Sequence, residues 1–190
     1  MIKKNCGQCD RMIRIHNRNT LLRKILTLQI LETDLKVSLI AVGTKMPVWV
    51  QNGCYEYSKR LPPEFKIKTI EIPLGMRSKN QSSKKAIDQE CASIIKVLEK
   101  KDFLIALDVN GKSMSTAKLA SQMTDWQMQG LNICFLIGGP DGLSLDCLKR
   151  AHLVWSLSDL TLPHPVVRIL LLEQIYRAWT INTNHPYHRQ

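Results

Sequence analysis

Residues 138–142 read Gly-Gly-Pro-Asp-Gly and stand directly after an apolar run that ends at Ile137. A backbone bare of side chains lets a ligand lie against its amide groups, which favours a binding loop. The run lacks the Gly-Lys-Ser/Thr of a phosphate-binding loop and the G-x-G-x-x-G of dinucleotide folds, so nucleoside triphosphate and NAD binding lose support. A tight strand-to-helix turn, with glycine chosen for positive φ, explains the same residues equally well.

A second candidate loop spans residues 157–165, where His164 stands between Pro163 and Pro165. The segment is too polar for a protein core and too apolar for an ordinary exposed loop. We interpret it as a ligand-binding loop, and a rigid structural connector is the alternative.

The C-terminal tail, residues 184–189, reads Asn-His-Pro-Tyr-His-Arg. The rings of Tyr187 and His188 suit stacking on RNA bases, and Arg189 suits pairing with phosphate. His188 is also a proton acceptor near neutral pH. A disordered terminus is the usual alternative for such a segment.

Cys6 and Cys9 form a C-x-x-C, which is typical of zinc and redox sites. A zinc site needs about four ligands, and only Asp10 and His16 stand nearby. No second C-x-x-C follows, and no Ser–His–Asp order is present, so metalloenzyme and hydrolase functions have little support. We therefore predict no metal.

The 190 residues are 44% hydrophobic and 23% charged, which excludes a disordered, collagen-like or disulfide-scaffold chain. No apolar stretch approaches the roughly 18 residues of a membrane-spanning helix. A net charge of +11 favours an anionic partner, and nucleic acid is the commonest one. The six scattered cysteines indicate reduced thiols in a cytoplasmic protein.

Apolar runs of strand length alternate with helical patterns along the body of the chain, which predicts an α/β fold with a mostly parallel sheet flanked by helices. Ligands bind beyond the carboxyl ends of such strands, so the loops after Leu107, Ile137 and Leu157 are the candidate sites. The predicted strands are residues 36–42, 67–72, 103–109, 131–137 and 154–157, and the predicted helices are residues 47–60, 84–100, 115–129, 144–151 and 166–179.

These segments together resemble the RlmH family of SPOUT-class methyltransferases, which act on a pseudouridine of large-subunit ribosomal RNA. The resemblance is collinear, covers about four-fifths of the chain, and is most specific in the G-G-P-[DE]-G and L-T-L-P-H motifs. The matching residues are 41–47, 70–73, 107–108, 137–144, 155–158, 160–168, 173–179 and 184–189.

The resemblance implies a C-terminal trefoil knot, a homodimer, and S-adenosylmethionine bound in the knot. Carried over position by position, the cofactor contacts are Leu107, Gly138, Leu157, Ser158, Asp159, Leu160, Thr161 and Leu162. It also implies methylation at N3 of a pseudouridine in 23S ribosomal RNA. Because the basic surface is modest, we expect the folded surface of the ribosome to be the substrate. A non-catalytic RNA- or ribosome-binding module on the same fold is the alternative function.

Methyl transfer to a ring nitrogen needs positioning and removal of the N–H proton rather than a covalent nucleophile. Tyr187, His188 and Arg189 are the candidate catalytic residues at the target base. We expect Arg168 and Arg177 to hold RNA phosphate or a helix partner. The last predicted helix is apolar nearly all round, so we expect a partner subunit to cover the side that its own sheet leaves open.

Residues 1–34 hold seven basic and three acidic residues, and their sequence pattern differs from the alternating strand and helix patterns of the rest of the chain. Chains of the RlmH family start about where Leu35 stands. We therefore expect residues 1–34 to be a disordered extension or a misassigned gene start, with the methyltransferase domain at residues 35–190.

Overall fold

The computed structural model describes residues 34–77 and 82–188. Five strands alternate with five helices there, which confirms the predicted α/β class. The strands are β1 Leu35–Val42, β2 Phe65–Ile72, β3 Asp102–Ser113, β4 Asn132–Ile137 and β5 Leu153–Ser156. The helices are α1 Val48–Ser58, α2 Ser83–Val97, α3 Thr116–Met128, α4 Leu145–Arg150 and α5 His164–Asn182.

All strand pairs are parallel, and the strand order across the sheet is β2-β1-β4-β3-β5. β1 and β4 occupy inner positions, and most of their residues are buried. β1 and β4 therefore each present apolar side chains to both faces of the sheet, as the inner strands of a parallel sheet require. All five carboxyl ends meet at one edge of the sheet.

Two apolar cores lie on opposite faces of the sheet. Val37, Leu39 and Ala41 of β1 pack toward α5 with residues of α3, whereas Ile40 and Val42 join the core that contains α2 and α4 residues. The alternation along β1 follows from the two-residue period of a strand. α5 packs against both α1 and α3 on the first face.

The helix starts follow the expected capping chemistry. Ser115 accepts a hydrogen bond from the Lys118 backbone N–H at 3.2 Å, and Ser144 accepts one from Cys147 at 3.1 Å. The expected ends of three elements were wrong. α5 runs over His164–Asn182 rather than residues 166–179. α2 ends at Val97 because Leu98 is extended, and β3 resumes beyond Asp108 after an irregularity between Leu107 and Lys112.

The four cysteines within the described residues are free thiols. Cys91 and Cys147 lie together between α2 and α4, and burial raises the pKa of Cys147 to about 12. Residues 1–33, with Cys6 and Cys9, lie outside the described residues. Over residues 34–77 and 82–188, no helix combines the length and apolarity needed to cross a membrane. The trefoil knot stays a prediction.

Candidate active site

A cavity of about 440 Å³ opens at the carboxyl edge of the sheet, where β4 and β5 end and β3 is interrupted. Its walls come from the three loops that the sheet argument selected, together with the first turn of α5. The lining residues are 107–109, 137–140, 142, 155–158, 160–164 and 167. The tertiary structure therefore brings together segments that are 60 residues apart in the chain.

Gly138 both lines the cavity and closes a tight turn. A Cβ atom on Gly138 would lie 2.5 Å from the carbonyl carbon of Gly142 and 2.8 Å from the Leu143 nitrogen. Gly142 has a φ of +80° and donates a backbone hydrogen bond to the Gly139 carbonyl at 3.0 Å. The tight-turn interpretation of the glycine loop, residues 138–142, is therefore correct, and the turn forms part of the cavity wall.

An ionic bridge that the sequence analysis missed holds the glycine loop to α2. Arg77 donates to Asp141 at 2.9 Å and to the buried carboxylate of Glu90 at 2.8 Å. The hydrogen bond with Glu90 raises the pKa of Arg77. The backbone N–H of Gly75 donates to the same Glu90 oxygen at 2.8 Å, so one buried carboxylate fixes the end of β2 and, through Arg77, the loop.

The loop of residues 157–162 folds back on itself at Ser158. The Ser156 hydroxyl donates to the Ser158 carbonyl at 2.9 Å, and the Leu160 backbone N–H donates to the Ser158 hydroxyl at 3.0 Å. Five of the six predicted contacts of this loop line the cavity: Leu157, Ser158, Leu160, Thr161 and Leu162. Asp159 is exposed and is not among the lining residues, so its role stays a prediction.

His164 begins α5 and lines the cavity, although it was not among the predicted site residues. Burial, with a smaller contribution from the Arg168 charge, lowers the pKa of His164. The imidazole is therefore neutral over a wider pH range than a free histidine. The two flanking prolines were the sequence signal, because Pro165 in the first turn is typical of a helix start.

Arg168 is buried, which makes the expectation that it holds RNA phosphate wrong. Its guanidinium donates to Glu71 at 2.6 Å and to the carbonyls of Gly43 at 2.6 Å and Val42 at 3.1 Å. These contacts join α5 to the ends of β1 and β2. An exposed cation is needed to reach a phosphate, and Arg168 is only 3% exposed.

The tail packs on α5 of its own protomer. The Tyr187 hydroxyl donates to Glu173 at 3.2 Å, the Tyr187 and Tyr176 rings meet edge-on at 4.8 Å, and the Arg177 guanidinium lies 4.9 Å from the Tyr187 ring centre. Arg177 also pairs with Glu173 at 2.6 Å. Burial and the Glu173 carboxylate raise the pKa of Tyr187.

Within one protomer, the structure does not bring the predicted catalytic residues to the cavity. Neither Tyr187 nor His188 lines it, and Arg189 lies outside the described residues. Glu173 and Tyr176, which hold Tyr187, stand nine and twelve residues beyond His164 in α5. Those steps correspond to about 14–18 Å along the helix axis.

Four buried side-chain nitrogens lack hydrogen-bond partners within the described residues: Trp155 Nε1, Arg168 Nε, Trp179 Nε1 and His188 Nδ1. Trp155 lines the cavity, and its indole Nε1 makes no hydrogen bond. The buried Nδ1 of His188 also makes no hydrogen bond within the described residues. No group of three metal-ligating side chains occurs in residues 34–77 and 82–188.

The sequence of this chain matches a family described as "Predicted SPOUT methyltransferase" over residues 35–188. Two curated relatives carry the name ribosomal RNA large subunit methyltransferase H. The protein from Saccharophagus degradans is 56% identical over 155 residues, and the protein from Marinomonas sp. is 53% identical over 155 residues. Each alignment covers 82% of this chain and 100% of the relative.

The fold is also similar to a solved structure, the "probable methyltransferase" from Bordetella pertussis Tohama I. The TM-score is 0.51 at 11% sequence identity, and the match covers 82% of this chain and 98% of that chain. At this identity the likeness concerns the fold alone.

Proposed function

Since the chain belongs to the RlmH family of SPOUT methyltransferases, we propose that it methylates N3 of a pseudouridine in 23S ribosomal RNA, with S-adenosylmethionine as donor. The observation that carries the proposal is the cavity at the carboxyl edge of the sheet, which joins the glycine loop to the loop of residues 157–162. The two named relatives support ribosomal RNA as substrate. A folded ribosome, rather than free RNA, suits a protein with a modest basic surface.

The cavity fits S-adenosylmethionine in size and chemistry. Its volume of about 440 Å³ lies in the range of small-ligand sites. Leu107, Leu157 and Leu162 offer apolar surface for an adenine ring, and the unpartnered indole N–H of Trp155 offers a buried donor. The glycine loop leaves its backbone open to the cavity at Gly138. We propose that these residues hold the donor, together with Ser158, Asp159, Leu160 and Thr161.

Bound S-adenosylmethionine supplies an electrophilic methyl group on a sulfonium. The protein needs to hold the target nitrogen in line with that methyl group and to help remove its proton. Of the candidate tail residues, Tyr187 offers a stacking face for the target base, His188 a proton acceptor and Arg189 a positive charge for the RNA backbone.

The tail acts on the cavity of a partner subunit in this proposal. Glu173 and Tyr176, which hold Tyr187, lie about 9–14 Å along α5 beyond Val167, the last cavity residue of that helix, so we propose that a homodimer brings the tail to a cavity. The Nδ1 of His188 is buried and has no hydrogen-bond partner within the described residues, which supports the proposal that a second molecule supplies that partner. α1 supports the dimer, because it exposes Val48, Trp49 and Tyr55, which are 70%, 55% and 65% accessible.

Mass spectrometry of 23S ribosomal RNA tests the proposed activity. Ribosomes from cells that lack this protein should gain one methyl group on a pseudouridine when they are incubated with protein and S-adenosylmethionine. Calorimetry with S-adenosylmethionine distinguishes the methyltransferase from the alternative function, because a non-catalytic RNA- or ribosome-binding module should show no heat of binding. A protein that neither binds the donor nor methylates the ribosome would contradict the proposal.

The dimer is tested by the substitution Trp49→Asp. A charge placed in an apolar interface leaves an unpaired carboxylate buried, so we expect the variant to be monomeric at micromolar concentration. Light scattering measures this directly. The control is Leu145→Asp in α4, which replaces an exposed apolar residue on the opposite face of the sheet and should leave the dimer intact. Unmodified protein that is monomeric at micromolar concentration would refute the dimer.

We also propose that the methyltransferase domain comprises residues 35–190 and that it works in the cytoplasm, where ribosomes are found. The family match over residues 35–188 supports this domain assignment. Measurement of the intact mass in the native host tests whether residues 1–34 are present there.

A further inference from the structure

Lys45 has an uncommon backbone conformation. Its φ is 60°, in the left-handed region that residues with a Cβ atom rarely adopt. Within the described residues, Asn184 is the one other non-glycine residue with positive φ, and asparagine tolerates this conformation well. Glycine at position 45 would avoid the strain. The presence of lysine there points to a use for its side chain.

Neighbouring contacts impose this conformation from both sides. Before Lys45, the Gly43 backbone N–H donates to the Ile72 carbonyl at 2.7 Å, and the Gly43 carbonyl accepts from Arg168 at 2.6 Å. After Lys45, the Met46 carbonyl accepts from Gln51 at 2.8 Å. Because Arg168 is buried and paired with Glu71, the first anchor is rigid. The backbone on both sides of Lys45 is therefore anchored.

The loop belongs to the edge of the sheet where the cavity opens. It follows β1, and a Cβ atom on Gly43 would lie 3.5 Å from Nε2 of His164, a residue of the cavity wall. Lys45 itself is exposed and makes no ion pair or hydrogen bond within the described residues. An unpaired lysine is thus anchored through its backbone in a loop that adjoins the cavity wall.

We propose that Lys45 binds a phosphate of the ribosomal RNA next to the target nucleotide and so positions that nucleotide over the cavity. The inference rests on the proposed function. Lysine is a compact point charge that suits a single phosphate oxygen, and phosphate contacts fix register rather than read sequence. Because the backbone at Lys45 is already anchored in the free protein, only the lysine side chain has to be ordered on binding.

The test compares ribosome binding by unmodified protein and four variants over a series of salt concentrations. Lys45→Ala should bind ribosomes about five- to tenfold more weakly at 0.1 M monovalent salt, and the slope of log K against log salt should fall by about one unit. Lys45→Arg keeps the charge and should bind nearly as well as the unmodified protein. The affinity for S-adenosylmethionine should be unchanged in both.

Lys45→Gly separates the contact from a structural role. Glycine relieves the strain, so the melting temperature should rise by about 2–4 °C while ribosome affinity falls as far as in Lys45→Ala. Lys36→Ala is the matched control. Lys36 is also exposed and unpaired within the described residues, but it lies six residues before the end of β1, about 20 Å from this edge.

The phosphate contact is overturned if the unmodified protein is active and the Lys45→Ala variant binds and methylates ribosomes as well as the Lys36→Ala variant does. Unmodified protein without activity on ribosomes overturns the proposed function, and this contact with it. Weaker ribosome binding by Lys45→Ala and Lys45→Gly, with ribosome binding retained by Lys45→Arg, supports the contact.

Discussion

Deletion of residues 187–190 is expected to reduce methyl transfer to ribosomes at least tenfold while leaving the fold, the dimer and the donor affinity nearly unchanged. Tenfold corresponds to about 1.4 kcal/mol, the least expected from loss of one positioned proton-transfer or charge-stabilising group. The cavity residues that hold the donor lie elsewhere, and Tyr187 is only an outer contact of the core around α5. Single-turnover methylation with saturating S-adenosylmethionine measures the effect.

Mixed dimers show which subunit supplies the tail. The tail deletion leaves an intact cavity, and Gly138→Ala, discussed next, leaves an intact tail. If the tail works on the partner's cavity, each mixed dimer contains one complete site, and random mixing restores about a quarter of full activity. If the tail works on its own cavity, mixing restores nothing. Full activity of the tail-deleted protein would show that the tail is inert and that the proton acceptor lies elsewhere.

Gly138→Ala is expected to weaken S-adenosylmethionine binding about five- to 140-fold, and to lower methylation in the same proportion at donor concentrations below the dissociation constant. A Cβ atom there would lie 2.5 Å from the Gly142 carbonyl carbon, and the three nearest atoms are all backbone atoms of Gly142 and Leu143, so no side chain can rotate away to make room. The turn must open, which displaces the cavity wall and costs about 1–3 kcal/mol. Calorimetry measures the binding, and circular dichroism measures the melting temperature.

Gly130→Ala is the control for Gly138→Ala. Gly130 follows α3 with a φ of +64°, and a Cβ atom there would meet no atom within 4 Å. Its substitution strains the backbone without contacting the cavity, so stability should fall by about 1 kcal/mol while donor binding is retained. Equal donor affinity in Gly138→Ala and the unmodified protein would show that Gly138 serves only the turn.

Alternation of strands and helices could be predicted from the sequence because its signals are local. Leu35–Val42 and Asn132–Ile137 are apolar runs of strand length, and Ser115 and Ser144 are capping residues that stand next to the helices they begin. Once the sheet is parallel, its carboxyl ends share one edge, so the loops that form the cavity could be predicted as well. The glycine loop follows β4 at this edge, as the sheet argument predicts, and its binding role stays a prediction.

Charged side chains were predicted poorly, because their partners are distant in sequence. Arginine is a residue type that usually lies on the surface, but Arg168 is buried. Its partner Glu71 stands 97 residues earlier in the chain, and the pair lies where α5 crosses the ends of β1 and β2. Arg77 stands in a basic segment, but Asp141, 64 residues later, turns it into a support for the glycine loop. No periodicity of two or 3.6 residues contains such information.

The sequence by itself determined the fold class, the family and the three loops of the cavity, since each depends on runs of neighbouring residues. Only the tertiary structure decided where four side chains lie: His164 in the cavity wall, Arg168 in the interior, Lys45 in a strained turn and Tyr187 packed against α5, away from its own cavity. These positions depend on which elements pack together, and packing places each side chain by volume and pairing rather than by its place in the chain.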